Sequence, residues 1–147
     1  MNHTNIREAQ QEDIDQLVNI WYEASIVAHD FIPESYWKEN KQLMSDHYLP
    51  ASEVYVATDG QIRVGFIALV EDDIAAIFVL PAYQGQGKGS LLLNHAKKLR
   101  DRLLLKVYKK NLSSVGFYQA QGFTIIDESI DEQTGENEYV MEWKTKK

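Results

Sequence analysis

The sequence predicts a mixed α/β (α+β) fold, one sheet with helices on both faces, and three observations carry that reading. Hydrophobic periodicity switches repeatedly between helical three-and-four spacing and strand alternation. Asp59-Gly60 stands between two alternating runs, which supplies the positive-φ turn of a tight hairpin. The run Ile74 to Leu80 is apolar at every position, as a central strand covered on both faces requires, and a glycine-rich loop and a helix follow it.

A short strand at Asn5 to Ala9 precedes an amphipathic helix, Glu12 to Ala28, with Ile14, Leu17, Val18 and Trp21 on one face. Pro33 can open a second helix, which carries Tyr36, Trp37, Leu43, Met44 and Tyr48 until Pro50 stops it. Glu53 to Thr58 and Arg63 to Val70 are the two arms of the hairpin, and the apolar run to Leu80 is the middle of the sheet. After the loop Gln84 to Gly89, a helix shows Leu91, Leu92, His95, Ala96 and Leu99 on its apolar stripe. Leu103 to Val107 is a short buried strand, Ser113 to Gln121 a helix closed by Gly122, and Phe123 to Ile130 another strand. Beyond a polar turn, Glu138 to Trp143 returns as the last antiparallel strand, with Tyr139, Met141 and Trp143 on one face.

With 147 residues and neither repeats nor linkers, residues 1–147 are read as one domain. Fifteen basic against 22 acidic residues leave a net charge of −7, which works against nucleic acid and anionic membranes as partners. The absence of cysteine excludes disulfides, zinc knuckles, iron–sulfur clusters and thiolate chemistry. His47 and His95 have no second ligand at metal spacing, so no metal site is expected. No run approaches the ~18 apolar residues of a membrane span, and a cytoplasmic location is expected.

The sharpest chemical feature is Tyr83-Gln84-Gly85-Gln86-Gly87-Lys88-Gly89-Ser90 between the apolar strand and a helix. Free backbone N–H groups and the helix dipole converge there, glycines let the backbone approach a ligand, and Lys88 adds a positive charge, which together suit a phosphate. Ser90 spoils a dinucleotide fingerprint, and Ala82 stands where a Walker loop needs glycine. The competing use of the glycines is helix–strand packing.

Val79-x-Pro81-x-Tyr83-Gln84-x-x-Gly87-x-Gly89 resembles the acetyl-CoA signature of the GCN5-related N-acetyltransferase (GNAT) superfamily. Asn111 with Gly116-Phe117-Tyr118 and Gly122-Phe123 resembles that family's second cofactor motif, and Ile6-Arg7-Glu8-Ala9 with Glu12-Asp13 is similar to its opening. Val64-Gly65-Phe66 resembles the strand before the cofactor loop. The resemblance implies a mostly antiparallel twisted sheet splayed at its central strands, and transfer of an acetyl group from acetyl-CoA to an amine with CoA as product. It implies that the backbone of Phe78 or Val79 meets the thioester carbonyl and the pantetheine amides. The pyrophosphate would lie on Gln84, Gly85, Gln86, Gly87, Lys88, Gly89 and Ser90, and Asn111 and Phe117 would border the pantetheine arm. For Asn111, helix N-capping is an equal use.

Such a transfer needs a deprotonated amine, a donor for the carbonyl oxygen and an acid for the leaving thiolate. Tyr118 resembles the family's general acid; the alternative is a ring packed on its helix with the hydroxyl in water. The base is left open, because Ala75 and Ala76 occupy the middle of the central strand. Glu71, Asp72 and Asp73 precede it; one of them could reach the substrate directly or through a water, but a run of acids at such a turn reads more readily as a solvated tip. His29 is the best single candidate for base or amine recognition, against a role as a helix C-cap. Trp21 and Trp37 read as core, whereas Tyr22, Phe31 and Tyr36 are candidates for an acceptor pocket. Lys106, Lys109 and Lys110 would meet the cofactor's 3′-phosphate or solvate a strand end.

The sequence thus predicts an acetyl-CoA-dependent N-acetyltransferase acting by direct attack of a small-molecule or peptide amine in a ternary complex. An acyl-CoA-binding sensor or inactive relative is the rival from another class. A homodimer is expected if the last strand presents a free sheet edge.

Overall fold

The computed structural model describes residues 4–145. Strand β1 (Thr4–Glu8) leads through a single 3-10 turn, Gln11–Asp13, into α1 (Ile14–Ala28). Where one helix is predicted from Pro33 to Pro50, the chain forms α2 (Glu34–Glu39), α3 (Lys41–Leu43) and a π-helical turn, Met44–Tyr48. The break is Asn40, at φ −94° and ψ 0°, whose side-chain amide donates to the Tyr36 carbonyl at 2.7 Å. An amide that bonds its own backbone competes with helix continuation. Pro33 stands before the first helical residue, not within it.

β2 (Glu53–Asp59) and β3 (Ile62–Val70) form the predicted hairpin, with Gly60 at φ 62° in its turn. β4 (Asp73–Val79) follows antiparallel, then a 3-10 turn, Pro81–Tyr83, and α4 (Lys88–Leu99). β5 (Arg102–Tyr108), α5 (Leu112–Ala120), β6 (Thr124–Ile130) and β7 (Asn137–Lys144) complete the chain.

The seven strands are ordered β1-β2-β3-β4-β5-β7-β6, and every neighbouring pair is antiparallel except β4 and β5. That parallel pair meets in register only at Asp73 and Leu104, after which the strands diverge. The implied splay is therefore present, and it corrects one expectation. The β4 segment Ala76 to Val79 is half-buried rather than covered, because the neighbour that would close one edge has turned away. β7 is likewise not an edge strand: it lies between β5 and β6, so the edges are β1 and β6 and the stated ground for a dimer fails.

Two apolar layers flank the sheet. On one face, Leu92, Leu93 and Ala96 of α4 and Val115 and Tyr118 of α5 pack on Ile67, Leu103, Leu105 and Met141. On the other, Leu17, Ile20 and Trp21 of α1 join Trp37, Met44 and Leu49 over Val56, Phe66 and Ala68. Asp13, 0% exposed, ties the start of α1 to the sheet by accepting from Arg7, Arg63 and the Gln10 backbone. The Arg7 bond, foremost, holds its carboxyl well below the usual range. Among the described residues, no helix is long and apolar enough to cross a membrane.

Candidate active site

Where β4 and β5 part, a cavity of about 910 Å³ opens, walled by β4, the glycine loop, β5 and the start of α5. His29, Phe78, Val79, Gln84, Gly85, Gly87, Lys88, Gly89, Ser90, Asn111, Phe117 and Tyr118 all line it, and Gln86 does not. A strand losing its partner leaves backbone donors and acceptors along its edge, which a ligand can pair.

The loop is tied to the end of β4 by the Gln84 side-chain amide, which donates to the Val79 carbonyl at 2.9 Å. Gly85 and Gly87 sit at φ 78° and 82° with open space where a Cβ would be, so backbone conformation, not packing, requires them. Gly89 is different: an added Cβ would lie 3.1 Å from Phe117 Cζ, so this glycine lets α4 approach α5. The glycines thus answer to different demands, backbone conformation at Gly85 and Gly87 and helix–helix packing at Gly89. Ser90 Oγ accepts from Gln121 Nε2 at 3.0 Å, and Lys88 is buried at the first turn of α4.

Asn111 is the N-cap of α5: its Oδ1 accepts from the Ser114 N–H at 3.2 Å. Its Nδ2 lies 3.1 Å from His29 Nε2, joining the end of α1 to the start of α5. An amide N–H₂ only donates, so His29 Nε2 is the acceptor and the ring proton sits on Nδ1. Trp37, Tyr108 and Phe31 surround the imidazole, with centroids 5.4, 5.0 and 5.8 Å away, and burial pushes its pKa down to about 4. His29 is thus a neutral C-cap at physiological pH, with its Nε2 lone pair already engaged.

Tyr118 packs between Phe117 and Phe123, at centroid distances of 5.4 and 5.8 Å, and is 9% exposed. Burial raises its phenol pKa, so the proton is retained at neutral pH. None of Glu71, Asp72 and Asp73 lines either cavity. Glu71 and Asp72 form a turn tip, in which the Glu71 carbonyl accepts from Arg100 Nε at 2.8 Å, and Asp73 opens β4.

A second cavity of about 350 Å³ shares Trp21, Trp37, Met44, Ala75 and Ala76 with the first and adds Tyr36, Tyr48 and Gln133. Trp21 and Trp37 are core, as expected, and yet wall both cavities; Tyr36 lines the second, its hydroxyl donating to Gln133 at 2.8 Å. Tyr22 and Phe31 line neither. The Tyr22 hydroxyl donates to Glu34 at 2.7 Å and Phe31 packs on Tyr108, so both rings are taken up within the fold. Lys109 pairs with Glu128 at 3.3 Å and Lys110 with Glu136 at 3.2 Å, while Lys106 and Lys110 border the large cavity.

Sequence reasoning missed Tyr108 and Glu138. Tyr108 donates to Asp131 at 2.8 Å, and burial, then that bond, raise its pKa. Glu138 lines the large cavity, half-buried, and desolvation raises its carboxyl pKa. The alternation that puts Tyr139, Met141 and Trp143 on one face was the available signal, since it puts Glu138 on the other.

The mostly antiparallel sheet, parted between β4 and β5 with a glycine loop leading into α4, matches the fold that the GNAT resemblance implies. Residues 50–125 match the acetyltransferase (GNAT) domain. The peptidyl-lysine N-acetyltransferase YiaC of Escherichia coli strain K12 is 33% identical, over 94% of this chain and 95% of the relative. The peptidyl-lysine N-acetyltransferase YjaB of Salmonella typhimurium is 36% identical, over 89% of this chain and 90% of its own. The solution structure of apo YjaB from Escherichia coli superposes with a TM-score of 0.85 at 29% identity, covering 95% of this chain and 97% of that one. The PaiA N-acetyltransferase of Thermoplasma acidophilum, solved with coenzyme A, shares the fold at TM-score 0.82 and 20% identity, over 97% and 99% of the two chains. The chain belongs to the GNAT acetyltransferase family.

Proposed function

We propose that this protein transfers the acetyl group of acetyl-CoA to a primary amine, the side chain of a peptide lysine in the first instance, by direct attack in a ternary complex. The observation that carries the reading is the parting of β4 from β5, which leaves the Phe78–Val79 backbone, the glycine loop, Asn111 and Tyr118 around one cavity. The names of YiaC and YjaB support lysine as the acceptor. In this mechanism the pyrophosphate rests on the loop N–H groups, β4 pairs the pantetheine amides, and a β4 N–H polarises the thioester carbonyl. Tyr118, protonated, gives its proton to the departing thiolate. His29 acts as a positioning residue that fixes Asn111, rather than as the base.

Ala75 and Ala76, shared by both cavities, leave the middle of β4 without an acid and favour the rival reading of an acyl-CoA sensor without turnover. Thermal unfolding with acetyl-CoA, CoA, ATP and NAD separates the cofactor classes. Ligand at 100 times its Kd stabilises by about 2.7 kcal/mol, a rise of roughly 5–10 °C in a domain of this size. A shift only with ATP or NAD, or none with acetyl-CoA and CoA, overturns the reading. Acetyl-CoA-dependent labelling of lysine peptides that Tyr118→Phe lowers by about 100-fold or more, with the acetyl-CoA shift intact, excludes the sensor.

A further inference from the structure

The acceptor amine arrives as an ammonium, and something beside the cleft has to hold it and take a proton before attack. The centre of β4 supplies nothing, with Ala75 and Ala76 there, and the turn acids Glu71 and Asp72 and the first residue of β4, Asp73, lie away from both cavities. His29 already uses its Nε2 lone pair on Asn111. Among the described residues that line the large cavity, one carboxylate remains, Glu138.

Its placement follows from the sheet. Glu138 of β7 is in register with Tyr108 of β5, and residues directly opposite one another point to the same face. Tyr108 packs on His29 and Phe31, so this is the face that α1 and α2 flank, opposite to the one bearing α4 and α5. Glu138 therefore looks toward the aromatic end of the cleft, away from the layer that carries the glycine-loop helix. We propose that Glu138 is the carboxylate that receives the acceptor ammonium and takes its proton, a role displaced from β4 to β7. This rests on the acetyltransferase reading above.

The ammonium gives one proton to Glu138, and the freed nitrogen lone pair attacks the thioester carbonyl carbon. A C–N bond forms, the C–S bond breaks, and the electron pair leaves on sulfur, which takes the Tyr118 proton. Tyr118 recovers a proton from the nitrogen, and Glu138 returns its own to solvent, so one proton is released per amide formed. The groups facing Glu138 set its titration. Partial burial raises its pKa, Lys106 on β5 lowers it, Asp131 before β7 raises it and Ser129 on β6 lowers it, with Tyr108 opposite on β5. Lys110 is engaged by Glu136, and partial burial outweighs Lys106, so the carboxyl titrates above its ordinary value.

The test is the pH dependence of kcat for CoA release with a saturating lysine peptide, in wild type, Glu138→Gln, Glu138→Asp and Lys106→Met. Glu138→Gln should lower kcat by about 100-fold or more at neutral pH. Its residual rate should climb with pH in step with the free-amine fraction, while the thermal shift with acetyl-CoA stays that of wild type. Glu138→Asp should recover part of the loss. Lys106→Met should move the acid limb of the wild-type profile to higher pH, a readout that does not depend on Glu138→Gln folding. An active wild type with Glu138→Gln within about threefold of it and an unchanged profile overturns this inference alone. A wild type that acetylates no amine overturns the acetyltransferase reading, and this inference with it.

Discussion

Gly65 of β3 pairs with Val79 of β4, and an alanine there would set its Cβ 2.8 Å from the Phe78 carbonyl oxygen and 3.2 Å from Val79 Cγ2. The nearer atom is backbone, so no rotamer change relieves the contact, and reaching ordinary contact needs a displacement of about 0.6 Å. Overpacking of this kind costs about 1–3 kcal/mol, which for a chain of this length lowers Tm by roughly 3–12 °C. The displaced strand is also the one whose free edge faces the cavity, so Gly65→Ala should weaken acetyl-CoA binding as well. Gly116→Ala is the matched control: it lies within α5, nothing stands within 4 Å of the added Cβ, and the helix should gain up to about 1 kcal/mol. Differential scanning calorimetry of the three proteins, with and without acetyl-CoA, gives both quantities. A Gly65→Ala protein that melts within about 1 °C of wild type and binds acetyl-CoA equally well would show that β3 and β4 have room for the added methyl group.

Removing the buried carboxylate in Asp13→Ala leaves Arg7 and Arg63 without their shared partner and should cost about 3 kcal/mol in urea unfolding. Because the Asp13 pKa is depressed in the fold, its contribution is full above the unfolded value near about 4 and is lost as pH falls below it, so the variant's acid sensitivity should flatten there. His29 carries the same sign through a different group. Its pKa drops to about 4 in the fold from 6.5, so its neutral burial holds fully above pH 6.5 and stability declines as pH falls from there to about 4. The decline is on the order of 3 kcal/mol, and His29→Gln should remove it.

Most elements were legible because their side-chain period is a direct record of which face is buried. What local pattern does not carry is which strand lies beside which. Tyr139, Met141 and Trp143 announce a strand and its inner face, but nothing in them says that β7 inserts between β5 and β6. For the same reason the Glu138 carboxylate was not placed at the cleft until its register with Tyr108 was known. The apolar run of β4 read as doubly covered because a half-open cleft and a packed core call for the same residues, and only the departure of β5 separates them. The break at Asn40 went unseen because no proline or glycine marks it and a side-chain amide ended the helix instead. The glycine loop was plain since its glycines and its position after β4 are both local, whereas the contact of the Asn111 side chain with His29, 82 residues away, is set by tertiary packing that no local pattern records.

The single register point between β4 and β5 makes this sheet two leaves hinged at one corner. The first, β1 with β2 to β4, and the second, β5 to β7, are each closed by antiparallel ladders of their own. Side chains of α4 and α5 pack across both leaves on one face, and a molecule lying between the pages joins both covers. Amide exchange at the ends of the two leaves should therefore slow together when the cleft is filled, and the energy of parting them becomes a property of the bound ligand as much as of the chain.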